Sequence, residues 1–141
     1  MRRHALLQMY SQARLLVMIR LIGFDRFKVF CLSRPDLLFL DKIPSAAVMS
    51  IAEGGVDIIT PEWHRYGGFN DRFALCSPRG AEVYLDRLSW VSRFCLEKGY
   101  FHPEEILQYS IERAGLKYDF MATRAKRVRS TGSINNEDFT V

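Results

Sequence analysis

"FKVFCLSRPDLLFLDKIP" (residues 27–44) decides how this chain folds. Its first seven residues are a short run with aromatic and β-branched side chains, Phe27, Val29 and Phe30, the character of a strand. Pro35 then ends the run, because it lacks an amide hydrogen and constrains the residue before it. "LLFL" (37–40) is a second short extended piece. Between the two lie Arg34 and Asp36, a charge pair at the end of an apolar strand. The stretch "WHRYGGFNDRFALCSP" (63–78) repeats the arrangement, with Asp71 and Arg72 at the mouth of the apolar run 71–77.

Outward from these two stretches the pattern alternates. Residues 4–22 read as a helix ended by Gly23, with Leu6, Leu7, Tyr10, Leu15, Met18, Leu21 and Ile22 at loosely helical spacing. Pro44 and Ser45 open a short helix, 45–53, closed by Gly54 and Gly55. "VDIIT" (56–60) is a strand, and 61–70 is a loop by its proline, paired glycines and asparagine. Ser77 followed by Pro78 is a cap-and-proline helix start, and that helix is expected to run to Lys98 before Gly99. Residues 102–115 form another helix, with Ile106, Leu107, Tyr109, Ser110 and Ile111 turned inward. Residues 116–130 read as extended, with a hairpin as one arrangement, and 131–141 as a polar, mobile tail apart from Phe139. The expected fold is therefore α/β: one domain over 1–130 with a mixed sheet flanked by helices.

Composition narrows the class. The chain has 141 residues, 48% of them hydrophobic and 26% charged, enough for one real core. A net charge of +4 is too weak to argue for nucleic acid alone. The basic run "RAKRVRS" (124–130), near Tyr118 and Phe120, alternates like a solvated strand face rather than a groove-reading helix, so nucleic acid is disfavoured. Three cysteines, Cys31, Cys76 and Cys95, are widely spaced and form no disulfide framework or zinc pattern. Cys31 and Cys76 read as small core residues, and a reducing, cytoplasmic setting, membrane-peripheral at most, is preferred. The N-terminal apolar run is broken by Gln8, Ser11, Gln12, Arg14 and Arg20, which argues against a signal peptide or a membrane span.

The chemistry rests on the charged strand ends. Ligands of open α/β sheets gather where loops splay at the carboxyl ends of strands. A carboxylate such as Asp36 is costly if dry and unpaired, so either an arginine or a hard divalent cation must neutralise it. At an effective dielectric near 20 and ~4 Å, one unit charge pair is worth about 4 kcal/mol, and a divalent ion gains on the order of twice that. The plain alternative is a strand-end aspartate paired with Arg34. His64, beside Trp63, Tyr66 and the Gly67-Gly68 pair, reads as a lid over a core edge before it reads as a sugar-stacking surface, and Tyr84, Leu85, Leu88, Val91 and Phe94 read as helix core.

Three blocks in order, "FDRFKVFCLSRPDLLFLDKIP", "WHRYGGFNDRFALCSPRGAEVYLDRL" and "FHPEEILQYSIERAGLKY", resemble the catalytic half of GT-A-like glycosyltransferases of the lipopolysaccharide and capsule type. The resemblance covers roughly residues 5 to 130. It implies a partial GT-A, Rossmann-like sheet, a nucleotide-sugar donor, a glycan or polysaccharide acceptor, and Mn²⁺ or Mg²⁺. Arg34 and Asp36 match the R-x-D that stands where other GT-A enzymes carry D-x-D. Asp36 would then ligate the metal or face the donor diphosphate, lining the donor site with Arg34, Asn70, Arg72 and His102. Asp71 and Glu104 are the candidate catalytic carboxylates, Asp71 first, because a helix N-terminus lowers the basicity of Glu104. The family's preceding nucleoside-holding segment has no counterpart ahead of the first helix, so a C-terminal half, truncated or inactive, is part of the expectation. Cys76 also departs from the small residue usual after F-A-x. The alternative from another class is a non-catalytic α/β module that binds a partner protein or nucleic acid.

Overall fold

The computed structural model describes residues 2–134. Helices α1 (Arg2–Ile22), α2 (Ser45–Ala52), α3 (Pro78–Leu85), α4 (Arg87–Lys98) and α5 (Pro103–Arg113) surround strands β1 (Phe30–Ser33), β2 (Leu37–Phe39), β3 (Ile58–Pro61), β4 (Phe73–Cys76), β5 (Tyr118–Met121) and β6 (Ala125–Arg127). Four strands form a sheet in the order β1-β4-β3-β5. β4 runs antiparallel to both neighbours, and β3 pairs with β5 in parallel. β2 and β6 form a separate antiparallel ribbon. The expected α/β class with a mixed sheet is the architecture observed.

Strand periodicity divides the core. Successive side chains of a strand point to opposite faces. Leu32, Ile58, Ala74 and Cys76 face one way and pack with Leu16 of α1, Tyr84 of α3 and Leu107 and Ile111 of α5. Ile59, Phe73, Leu75 and Met121 face the other way, against Ile51 of α2 and Ala125 of the ribbon. The interior strands β3 and β4 are buried at every residue, which is why both read as unbroken apolar runs. α4 lies outside this sandwich, packing Phe94 against Met9, Ile106 and Tyr109.

Several sequence expectations need correcting. The helix expected over 78–98 is two helices, because the chain leaves helical geometry at Asp86 (φ −91°, ψ 18°). Ser89 Oγ holds that bend, within 2.8 Å of the Asp86 carbonyl and 2.9 Å of its Oδ2. The hairpin entertained over 116–130 does not form: β5 joins the main sheet, and β6 turns away to pair with β2. α1 buries Met9 and Leu16, whereas Leu6, Leu7, Tyr10, Leu15, Met18, Leu21 and Ile22 are exposed. Cys76 is buried as expected, but Cys31 sits on the edge strand β1 and is exposed. The strand expected from residue 27 begins at Phe30, after a 3₁₀ turn over Phe24–Arg26. The tail starts with an ordered turn in which the Arg129 amide donates to the Ser133 carbonyl and Val128 bridges Ile134. Residues 135–141, Phe139 among them, lie outside the described residues.

Candidate functional site

The antiparallel register of β1 and β4 joins the two charged stretches. Ser33 is opposite Phe73, so the end of β1 and the start of β4 share one rim of the sheet. The Arg34 amide donates to the Arg72 carbonyl at 3.0 Å, one step past the strands. Asp71 and Arg72 thus precede their strand, and only the R-x-D stretch sits at a carboxyl end.

At this rim Arg34 reaches back to Asp36. Its Nε donates to Oδ1 at 2.8 Å and its Nη2 to Oδ2 at 2.6 Å, a bidentate pair of half-exposed groups. The Arg34 guanidinium holds the Asp36 carboxyl below the usual carboxylate range, with Arg127 adding to the effect. Arg34 Nη1 lies 3.4 Å from Gln8 Oε1 of α1, and Arg34 also sits in the field of Asp71.

Asp71 has a different partner. Its Oδ2 accepts from Nη1 of Arg87 at 3.1 Å, and its backbone carbonyl accepts from the Tyr84 hydroxyl at 2.7 Å. Arg87 is fully buried at 0% exposure, so this is a core ion pair. Arg87 Nη2 donates to Gln12 Oε1 at 2.8 Å, its guanidinium carbon lies 5.1 Å from the Tyr84 ring centre, and its Nε has no hydrogen-bond partner among the described residues. Burial also pushes the Tyr84 hydroxyl well up from its ordinary value.

Gly68 delivers the third block. A Cβ on Gly68 would stand 2.2 Å from the Glu104 carbonyl carbon, so only glycine lets the 61–70 loop lie on the start of α5. The Phe69 amide donates to the Glu104 carbonyl there at 3.0 Å. Glu104 is largely buried and feels Asp71, His102 and Arg87. Burial first, and then the Asp71 charge, push its carboxyl above the usual range. The expectation that the helix N-terminus would lower it is thereby corrected, because desolvation outweighs the dipole. His102 Nδ1 stands 3.6 Å from Glu104 Oε2 and 3.7 Å from Glu105 Oε1.

The structure therefore brings Arg34, Asp36, Asp71, Glu104 and His102 into one electrostatic neighbourhood. Asn70 and Arg72 serve the loop instead. The Asn70 side chain is buried, donates to the Trp63 carbonyl at 2.7 Å and accepts from the Arg72 amide at 2.9 Å. Arg72 lies with its guanidinium carbon 5.1 Å from the Trp63 ring centre. Trp63 packs on the core and donates to the Thr123 carbonyl at 2.9 Å, which makes it part of the wall, while Tyr66 is exposed and stacked on His64. Residues that sequence inspection missed are Arg87, Gln12, Gln8 and Tyr84. Arg87 had a signal: it lies three residues after Tyr84 on the same face as Val91 and Phe94, where a lone arginine must find an internal partner.

Two hollows flank Arg34. One, of 330 Å³, lies between α1, β1 and α3 and is lined by Gln8, Gln12, Cys31, Arg34 and Tyr84 among others. The other, a cleft of 510 Å³, is lined by Arg34, Asp36, Arg127, Val128, Arg129 and Ser130.

Asp36, the candidate metal ligand, is engaged by Arg34 in this structure. Both carboxylate oxygens take hydrogen bonds from Arg34, and among the described residues no group of three or more His, Cys, Asp or Glu could hold a metal. Among the same residues no helix is long and apolar enough to cross a membrane. No family model matches the chain, and no curated protein or solved structure gives a significant match to it.

Proposed function

We propose that the chain is a glycosyltransferase-like domain that handles a nucleotide-sugar donor and a hydroxyl-bearing glycan acceptor. One observation carries this: the R-x-D, N-D-R and H-P-E stretches, far apart in sequence, are joined by the Arg34–Arg72 and Phe69–Glu104 backbone contacts, and Asp71 acts electrostatically on both Arg34 and Glu104. Glycosyl transfer needs two things from a protein. Positive charge must stabilise the departing diphosphate, and in an inverting reaction a base must take the acceptor proton. Arg34, shared by both hollows, suits the first. Glu104 suits the second better than Asp71, because its raised proton affinity brings it nearer to neutrality, whereas Asp71 is held by Arg87. In that step the acceptor oxygen bonds to the anomeric carbon, the carbon–oxygen bond to the diphosphate breaks toward phosphate, and the acceptor proton passes to Glu104.

A second reading has its own support. The Asp71–Arg87 pair is a core contact of the kind that structural ion pairs make, and it suits a non-catalytic α/β binding module equally well. A panel of nucleotide sugars separates the two, read by melting temperature and by release of nucleoside diphosphate in the presence of glycan acceptors. The transferase reading expects a stabilising donor whose turnover falls at least ~100-fold in Glu104→Gln with donor binding retained, the scale of losing a general base. No stabilisation and no release with any donor would leave the binding module standing.

A further inference from the structure

We infer that the cleft between the R-x-D turn and the β2–β6 ribbon is a diphosphate site that works through arginines, with no divalent metal. The inference rests on the transferase reading for its ligand class, but its geometry is independent of it.

The cleft is built by backbone pairing. Leu37 is opposite Arg127 in the ribbon, and the Val128 amide donates to the Asp36 carbonyl at 2.8 Å. These contacts lock the strand carrying Arg127 and Arg129 against the turn carrying Arg34 and Asp36. The four consecutive residues 127–130 line the cleft, which puts both Arg127 and Arg129 on its wall. Its described lining carries three guanidinium groups, one carboxylate and the Ser130 hydroxyl. A lining this rich in guanidinium groups favours a polyanion over a divalent cation. Guanidinium groups are planar forks that match phosphate oxygens two at a time, which a diphosphate offers in quantity. The bidentate contact to Asp36 makes that carboxylate a brace: it fixes the Arg34 plane, and a metal would have to compete with Arg34 for its oxygens.

Inorganic pyrophosphate is the probe, titrated by calorimetry into the full chain in EDTA and again in Mn²⁺. Binding in EDTA is expected, with an affinity within about threefold of that in Mn²⁺. Arg129→Gln should weaken it about tenfold, and Arg127→Gln/Arg129→Gln further, the scale for losing charge-assisted hydrogen bonds. Arg129 is exposed, so its variant keeps the fold, which circular dichroism verifies. Binding that requires Mn²⁺, binding indifferent to both variants, or no binding in either buffer would overturn the inference. The two proposals fail separately. Nucleotide sugars that bind only with Mn²⁺ and ignore Arg127 and Arg129 would sink the arginine cleft and keep the transferase. Arginine-dependent pyrophosphate binding with no donor turnover would do the reverse.

Discussion

The amide of Arg34 donates to the carbonyl of Arg72 at 3.0 Å, continuing the β1–β4 ladder past its last paired residues. This contact explains why the chain twice sets an arginine and an aspartate beside an apolar strand. Antiparallel pairing turns the exit of one strand and the entrance of the next into neighbours, so both charged stretches leave the core at one place. A slip of one residue would turn every side chain of β4 to the other face and separate them.

Arg87 is the most consequential charge in the core. Substituting Arg87→Met leaves the poorly exposed Asp71 carboxylate unpaired, and breaking such a pair costs about 3–5 kcal/mol. Asp71→Asn strands the guanidinium instead, with Gln12 as its remaining side-chain partner by hydrogen bond. The double variant Asp71→Asn/Arg87→Met should cost clearly less than the two single changes added together, because it leaves no buried charge. Urea unfolding of the three variants measures this. A single Arg87→Met cost below about 1 kcal/mol would show that the pair is solvated.

The helix start at Ser77-Pro78 was readable from two letters, and the structure has it: Ser77 Oγ accepts from the Gly80 amide at 3.1 Å. Ser77→Ala should therefore cost about 1 kcal/mol, measured in the same urea series. A cost near zero would mean that neither this cap nor the 3.2 Å contact of Ser77 Oγ with Asp57 Oδ1 contributes to stability.

What the residues disclosed and what they hid follow from the range of the forces involved. Strands β3 and β4 and the inward face of α5 were legible because burial on both sides, or on a 3.6-residue stripe, writes itself into local spacing. The bend at Asp86 was hidden, since Asp86 and Arg87 are tolerable in a helix; Ser89 holds the bend locally, while the buried Arg87 beyond it pairs with the distant Asp71. The partnering of β6 with β2 was hidden for the same reason: three residues carry too little pattern to choose between two sheets. α1 misled because its exposed side is as apolar as its buried one. In the site, the meeting of Arg34 with Asp36 follows from a two-residue spacing. The contribution of Gln8 and Gln12 depends on where α1 crosses the rim, which no local signal encodes.

Gly68 holds the 61–70 loop on α5 by having no side chain. Gly68→Ala drives a methyl into the backbone of Glu104, where neither partner can swing away. A loss of at least ~2 kcal/mol is expected, at the upper part of what overpacking costs. Neighbouring Gly67 is the control: its φ is +84° and its nearest Cβ contact is 3.8 Å, so Gly67→Ala carries conformational strain alone, about 1–2 kcal/mol. Chemical denaturation ranks them, and a smaller cost for Gly68→Ala would refute the close-approach explanation.

Glu104 gives the fold a pH signature of opposite sign to that of Asp36. Its folded-state proton affinity lies above the ordinary value of 4.5, because burial and Asp71 disfavour the charged form. Below pH 4.5 folded and unfolded chains both hold the proton, and the group's favourable contribution is fully present. As pH climbs through the raised folded value, the folded state gives up its proton less readily than the unfolded one, and that contribution is lost. Glu104→Gln removes the group, so its stability relative to the native chain should rise from pH 4.5 toward neutrality and then level off. His102 Nδ1 stands 3.6 Å from the same carboxylate, so the comparison is repeated on a His102→Gln background, where the slope should persist. Asp36 behaves inversely: Arg34 depresses its carboxyl, so Asp36→Asn should cost stability above pH 3.8 and progressively less as acid protonates the native group. Urea midpoints at pH 3, 4, 5.5 and 7 test both. A Glu104→Gln difference that stays flat would mean that the carboxylate is well solvated, and one that shrinks toward neutrality that its charged form is stabilised. Either would count against Glu104 as the base.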